Sequence, residues 1–156
     1  MQPAGFTEFL GHLFSTSYDT TEWFVAFKKA VSGLSQDQAK QKLTPAGDSV
    51  FGLVAHLTYW NERYLNKMKG GAQKAAMMSD NEQTFLTYAE LNWQDLLAKA
   101  EEVFSGWSKQ MATLSAKDSE HFGAIGNTAM HNAYHVGQIV MLRKLQGSWN
   151  KEEGVK

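Results

Sequence analysis

The sequence predicts an all-α protein, built as a four-helix up-down bundle around one core. Apolar residues recur at spacings of three and four along most of the 156 residues, which is the period of an amphipathic helix. No stretch alternates apolar and polar residues for long enough to indicate a strand. The two prolines, Pro3 and Pro45, fall outside the periodic segments, so no predicted helix is interrupted by proline.

The first periodic segment covers residues 5–34 and fits either two helices or one helix with an irregular turn. Both alternatives stand because the run DTTE at 19–22 resembles a capping box in the middle of the segment. A second capping-box pattern, SQDQ at 35–38, predicts a short helix that ends near Leu43.

The second main helix is predicted over residues 50–69. Asp48 or Ser49 supplies its N-cap, because a side-chain oxygen there can accept a hydrogen bond from the first turn. The glycine pair at 70–71 ends the helix, since glycine readily adopts the left-handed conformation that closes one. Residues 72–80, which follow, are predicted to form a loop.

A long third helix is predicted to start at the capping-box pair Thr87 and Glu90 and to end at Leu114. A turn of helix from Asn81 is predicted to precede it. The apolar positions of this segment follow a helical rhythm. Residues 115–126 are predicted to form a second loop.

The last main helix is predicted over residues 128–146, with Asn127 as its N-cap and Gly147 as its C-terminal stop. No linker or internal repeat divides the chain, so a single helical-bundle domain is predicted over residues 1–150. Residues 151–156 have mixed charge and are predicted to form a frayed tail.

Composition and charge exclude several functional classes. The net charge of -1 provides no basic excess for binding a phosphate backbone, and no apolar run approaches the roughly 20 residues of a membrane span. The first residues lack the pattern of a signal peptide. The absence of cysteine leaves His, Asp and Glu as the strong metal ligands. We therefore expect a cytoplasmic protein with no nucleic-acid or membrane partner.

Three histidines form the strongest functional signal. His131 and His135 are four residues apart on the last predicted helix, so both lie on one face and can bind one metal ion. His56 lies on the inward face of the second main helix and can add a third imidazole. A helical wheel places Asn132 and Arg143 at a polar edge away from this stripe. The alternative is that the histidines are core residues that hydrogen-bond to the backbone.

Other residues are candidates for contacting a ligand beside the ion. Gln138 shares the histidine face and can orient a bound ligand, although hydrogen bonding within the core is an equal alternative. Trp60 and Tyr134 can wall a pocket, with core packing as the simpler alternative. His12 and His121 have no comparable spacing and are predicted to lie at the surface or behind the ligands.

The chain resembles the DinB/YfiT-like family of four-helix metalloproteins. The match is most specific at HNAYHVGQIV, residues 131–140, which runs into LRKLQG at 142–147. A second match is SVFGLVAHL at 49–57, and a weaker one covers 34–43.

This resemblance implies a long crossover between the second and third main helices. It also implies a divalent ion, zinc or nickel, bound by His56, His131 and His135. Members of the family commonly form homodimers. Some are thiol-dependent transferases or isomerases that use a low-molecular-weight thiol as cosubstrate, and others resemble metal-dependent hydrolases.

Two classes of function therefore remain open. In the first, the protein is a metal-dependent transferase or hydrolase that acts on a small molecule. Asn132 stands where a His-Glu-x-x-His protease has its glutamate, so the protease-type general base is absent. In the second class, the protein is a non-catalytic bundle that binds a metal or a small molecule.

A homodimer is also predicted from the last helix itself. Small and apolar residues cluster on the side opposite its histidines, and such a second apolar face requires a cover. The cluster consists of Ala133, Val136, Gly137 and Val140. Phe24 and Phe27 are the predicted partners of this face in the second subunit.

Overall fold

The computed structural model describes residues 3–71 and 77–155, and every regular element in these ranges is helical. The all-α prediction is confirmed. These ranges contain six α-helices: α1 Pro3–Tyr18, α2 Phe27–Val31, α3 Gln36–Lys40, α4 Val50–Met68, α5 Trp93–Ala112 and α6 Phe122–Leu145. Three 3₁₀ helices cover Asn81–Leu86, Ala116–His121 and Lys151–Glu153.

Each of the four longest helices packs against two of the others. Helix α4 contacts α5 and α6, and α1 contacts the same two helices. The 3₁₀ helix Asn81–Leu86, which lies between α4 and α5 in the chain, packs on α4. This last contact brings a segment of the connection next to the histidine of α4.

The first segment contains two helices, α1 and α2, which decides between the two alternatives. The run at 19–22 caps neither of them, because α2 begins only at Phe27. The hydroxyl of Thr21 instead accepts a hydrogen bond from the backbone of Ala26. The capping box at Ser35 is confirmed, although its helix ends at Lys40 rather than near Leu43.

Helix α4 begins and ends close to the predicted positions. Ser49, rather than Asp48, is its N-cap and accepts a hydrogen bond of 3.1 Å from the backbone nitrogen of Gly52. Gly70 follows the helix with a φ of 67°, as expected for a glycine stop. Of the predicted loop, residues 77–80 contain no helix, and residues 72–76 lie outside the described part of the chain.

Two predicted helix starts are wrong. Helix α5 begins at Trp93 and is capped by Asn92, not by the pair at Thr87. Asn92 and Asp95 repeat the pattern of a polar cap followed by an acid three residues later, and the buried Trp93 fixes the start. Helix α6 begins at Phe122, so Asn127 lies inside it.

The core combines an aromatic layer with a buried polar contact between two helices. The aromatic layer is formed by α1, α2 and α5 and consists of Phe14, Tyr18, Phe27, Phe104 and Trp107. The polar contact joins α4 to α6, where Asn61 and Asn132 exchange side-chain hydrogen bonds of 2.7 and 3.2 Å. The indole nitrogen of Trp107 donates to the backbone oxygen of Asn61, so the layer and the contact are connected.

The predicted polar edge of the last helix is therefore wrong. Asn132 is 0% exposed because its amide pairs with Asn61. Arg143 is also buried, and its guanidinium donates to the backbone oxygens of Ala30 and Ser148. Both polar groups lie inside because another helix or the following turn supplies partners, which a single-helix wheel does not show.

Part of the predicted dimer face lies inside the chain. Val136 is 1% exposed and belongs to the core, and Phe27 stacks on Phe104 inside the protein. Gly137 and Phe24 of the same prediction are exposed. The exposed large apolar residues of α6 form a stripe that consists of Met130, Tyr134, Met141 and Leu145.

Within the described ranges, no helix combines the length and the apolar character that crossing a membrane requires. Residues 151–153 of the predicted tail form a 3₁₀ helix, and Lys29 lies 3.8 Å from Glu153.

Candidate metal centre

The packing of α4 against α6 brings the three predicted histidines together. The Nε2 atom of His131 lies 3.1 Å from Nε2 of His56 and 3.0 Å from Nε2 of His135. His56 and His135 are buried, and His131 is partly buried. In the described part of the chain, this is the group of side chains whose donor atoms are close enough to hold one metal ion.

A hydrogen bond to a threonine fixes the ring of His56. The hydroxyl of Thr84 donates to the backbone oxygen of Asn81, so its oxygen must accept from Nδ1 of His56, 2.6 Å away. Nδ1 therefore carries the proton, and Nε2 presents its lone pair to the other histidines. The ring of Phe85 stacks on the ring of His56, with the two ring centroids 4.2 Å apart.

Gln138 fixes His135 in the same way. Its side-chain oxygen lies 2.6 Å from Nδ1 of His135 and accepts a hydrogen bond from the N–H at that position. Its amide nitrogen lies 3.5 Å from the hydroxyl of Tyr134. The structure therefore places Gln138 behind a histidine rather than at the open side of the site.

Burial keeps the three imidazoles neutral. Burial and, to a lesser extent, the neighbouring imidazoles together lower the pKa of His56 from 6.5 to about 3. Burial and the neighbouring His135 lower the pKa of His131 to about 4. Burial also lowers the pKa of His135, while its hydrogen bond with Gln138 and the charge of Asp48 act in the opposite direction. Neutral imidazole is the form that binds metals.

The donor set fits a divalent metal ion. At His56 and His135, Nδ1 holds the proton, so two Nε2 lone pairs face His131. A single proton on His131 cannot form two good hydrogen bonds at once, whereas one cation can bind all three nitrogens at about 2.0–2.1 Å. Imidazole ligands suit zinc and nickel. Structural zinc sites are normally closed by four protein ligands, so three leave a position for a reactant.

The three histidines line a cavity of about 430 Å³. Trp60 and Tyr134, both predicted as wall residues, line it, whereas Gln138 does not belong to the described lining. Tyr64 and Tyr134 are exposed at its rim, so the cavity reaches the surface. The remaining lining residues are Asn81, Phe85, Asn127 and Thr128.

The other two histidines lie apart from the site. His12 is 3.5 Å from Glu22, and His121 is 3.8 Å from Glu120. Neither belongs to the group that can hold a metal.

Sequence reasoning missed Thr84 and Phe85, the two residues that hold the ring of His56. They lie in a 3₁₀ helix whose short run has no amphipathic period. Asn61 was also missed, although a signal for it exists. It follows Leu57 and precedes Leu65 at spacings of four on the buried face of α4, where a polar residue requires a partner.

Comparison with family models identifies the chain. The model of the mycothiol-S-transferase family matches residues 21–147, which include all three histidines. The chain belongs to this family. The mycothiol-S-transferase family is part of the DinB/YfiT-like superfamily, so the resemblance predicted from the histidine motifs is confirmed. Comparison with curated proteins and with solved structures gives no match.

Proposed function

We propose that the protein is a metal-dependent S-transferase, which joins the sulfur of a low-molecular-weight thiol to an electrophilic small molecule. Mycothiol, which the family description names, is the proposed thiol. The observation that carries the proposal is the convergence of three Nε2 atoms from histidines that line an open cavity.

A divalent ion at this position would lower the pKa of a coordinated thiol and so supply a thiolate at neutral pH. His56, His131 and His135 would bind the ion through Nε2. Thr84 and Gln138 hold two of these rings at their Nδ1 atoms. The chain has no cysteine, so the reacting sulfur must come from the cosubstrate.

The proposed metal is zinc or nickel, because both bind well to imidazole. A hydrolase could use the same ion to activate water. However, the described lining contains no carboxylate that could act as a general base, and an S-transferase needs none. A non-catalytic metal-binding bundle is the second candidate, and the cavity beside the open position favours the transferase over it.

The proposal includes the arrangement of the chain and its assembly. The contacts among α1, α4, α5 and α6 support a four-helix up-down bundle with a long crossover between α4 and α5. The exposed stripe on α6 at Met130, Tyr134, Met141 and Leu145 supports a homodimer. Light scattering tests the homodimer, which a Met141→Glu substitution should dissociate. The proposed location is the cytoplasm.

Protein purified without chelator or nickel resin tests the transferase proposal. We expect the protein to contain zinc or nickel and to catalyse the reaction of mycothiol with iodoacetamide. Chelated protein and His131→Ala should lose this activity, whereas His12→Ala should keep it, because His12 lies outside the site. Equal activity of the metal-free and metal-loaded proteins would overturn the proposal, as would no catalysis by the loaded protein.

A further inference from the structure

The cavity beside the histidines has two unlike walls. One wall continues the face of His56 along α4, where Trp60 and Tyr64 follow at successive steps of four residues. The rings of Trp60 and Tyr64 are stacked, with centroids 6.0 Å apart and planes inclined by 28°. These two rings lead from the proposed metal position to the rim, where Tyr64 is exposed.

The other wall is uncharged and combines polar with aromatic groups. It contains Asn127, Thr128 and Tyr134 from α6 and Asn81 and Phe85 from the 3₁₀ helix. The hydroxyl of Thr128 donates to the backbone oxygen of Ala124, whereas Asn127 is exposed on the same helix. Asn127 therefore offers an amide to a polar reactant, and the aromatic wall is left for an apolar one.

The cavity beside the histidines differs from two other cavities of the protein in the charge of its lining. No aspartate, glutamate, lysine or arginine occurs among the residues described as lining it. A second cavity is lined by Lys28 and Glu101, and a third by Lys144 and Lys151. A carboxylate placed against Trp60 and Tyr64, away from the proposed metal position, would lose water without gaining a cationic partner from the described lining, which is unfavourable.

We propose that the molecule that accepts the sulfur is an aromatic electrophile without an anionic group, and that its ring lies against Trp60 and Tyr64. This inference rests on the proposed function, because it assigns the second substrate of the same site. An aromatic ring on this wall gains apolar burial and an offset-stacked or edge contact, which aliphatic walls do not provide. Trp60 and Tyr64 are then specificity-determining residues, and the polar groups of the other wall are left to the thiol.

The reaction of the probe chlorodinitrobenzene shows the balance of the step. The thiolate sulfur attacks the ring carbon that carries chlorine, and a carbon–sulfur bond forms. The carbon–chlorine bond breaks, and chloride leaves with the electron pair. The thiol proton passes to solvent, so no oxidant or reductant is required.

Two electrophiles that differ in one carboxylate test the charge preference. The metal-loaded protein is assayed with mycothiol and either chlorodinitrobenzene or chlorodinitrobenzoate, and each rate is divided by that of the uncatalysed reaction. We expect kcat/KM to be at least about tenfold higher for the uncharged compound, because the carboxylate finds no partner on the aromatic wall. An equal or higher value for the carboxylate would overturn the inference.

Binding to the metal-free protein tests the aromatic wall independently of catalysis. Dinitroaniline has the same ring as the uncharged probe and no leaving group, and its Kd can be measured by equilibrium dialysis. We expect Trp60→Ala to raise this Kd about tenfold and Trp60→Phe to restore most of the affinity. Trp23→Ala is the matched control, because Trp23 is 94% exposed and does not belong to the described lining.

The outcomes separate the inference from the proposed function. An unchanged Kd in Trp60→Ala would overturn the assignment of the aromatic wall, even if the loaded protein is an active transferase. If the loaded protein consumes no mycothiol with either probe or with iodoacetamide, the proposed function fails. In that case a weaker Kd in Trp60→Ala still supports an aromatic binding site, now without transfer.

Discussion

The aromatic layer and the polar contact between α4 and α6 differ in the kind of group that they bury. In the layer, Phe104 stacks on Phe27 at 4.6 Å and on Tyr18 at 5.0 Å, so each ring gains apolar contacts. Between α4 and α6, the buried groups are amides and imidazoles, and each of the two Asn side chains requires its partner. Apolar burial stabilises the fold, whereas polar burial fixes the register that brings the histidines together.

The largest expected effect comes from breaking the aromatic layer. Phe104→Ala leaves a cavity among three rings and should lower the free energy of unfolding by about 3–5 kcal/mol. In metal-free protein, His131→Ala should change it by less than about 1 kcal/mol, because the substitution also removes the crowding of three lone pairs. Urea denaturation of both variants measures the difference. Equal losses would show that the two regions do not differ as described.

A smaller loss is expected from breaking the polar contact. Asn132→Ala leaves the side-chain oxygen of Asn61 buried without its partner and should cost about 1–3 kcal/mol in urea denaturation. Asn127→Ala on the same helix is the control and should cost at most about 0.5 kcal/mol, because Asn127 is exposed. A similar small cost for both variants would show that the hydrogen bonds between Asn61 and Asn132 contribute little to stability.

A further effect is expected at the metal site, from the hydrogen bond between Thr84 and His56. Thr84→Val removes the oxygen that accepts a hydrogen bond from Nδ1 of His56, and this substitution should weaken zinc binding about 10–100-fold. Thr87→Val is the control, since the hydroxyl of Thr87 contacts the backbone oxygen of Gln83 at 3.5 Å and the sulfur of Met78 at 3.9 Å, and neither contact involves a histidine. Competition with a chelator measures both affinities. If Thr84→Val binds zinc with wild-type affinity, the hydrogen bond to Thr84 does not contribute to metal binding by His56.

A dependence of stability on pH is also expected in the metal-free protein. The folded pKa values, about 3 for His56 and about 4 for His131, lie below the ordinary value of 6.5. The unfolded chain therefore binds more protons below pH 6.5, and stability should fall as the pH falls from there toward these folded values. Urea denaturation over this range should give a shallower slope for His131→Ala than for His12→Ala. Identical slopes would contradict the burial of neutral histidines.

The sequence predicted the parts of the site that follow one helical period. His131 and His135 are four apart on α6, and His56 follows from the inward face of α4 and the resemblance at 49–57. Thr84 and Phe85 could not be predicted, because they reach His56 from a 3₁₀ helix separated in sequence.

The wrong predictions have a common physical cause. Asn132 and Arg143 were placed at a surface edge because a wheel treats polar residues as exposed, but partners elsewhere in the fold satisfy both. The start of α5 was misplaced because two capping patterns compete, and tertiary burial of Trp93 selects the later one. A local pattern thus predicts a helix better than it predicts which neighbour buries a polar side chain.

The metal content of the protein tests the central claim most directly. Elemental analysis of protein loaded with zinc and then dialysed should find one ion per chain in the wild type and in His12→Ala. His56→Ala, His131→Ala and His135→Ala should each lose most of the metal, because each removes one of the three converging Nε2 ligands. Wild-type zinc content in His56→Ala would contradict a site made by all three histidines.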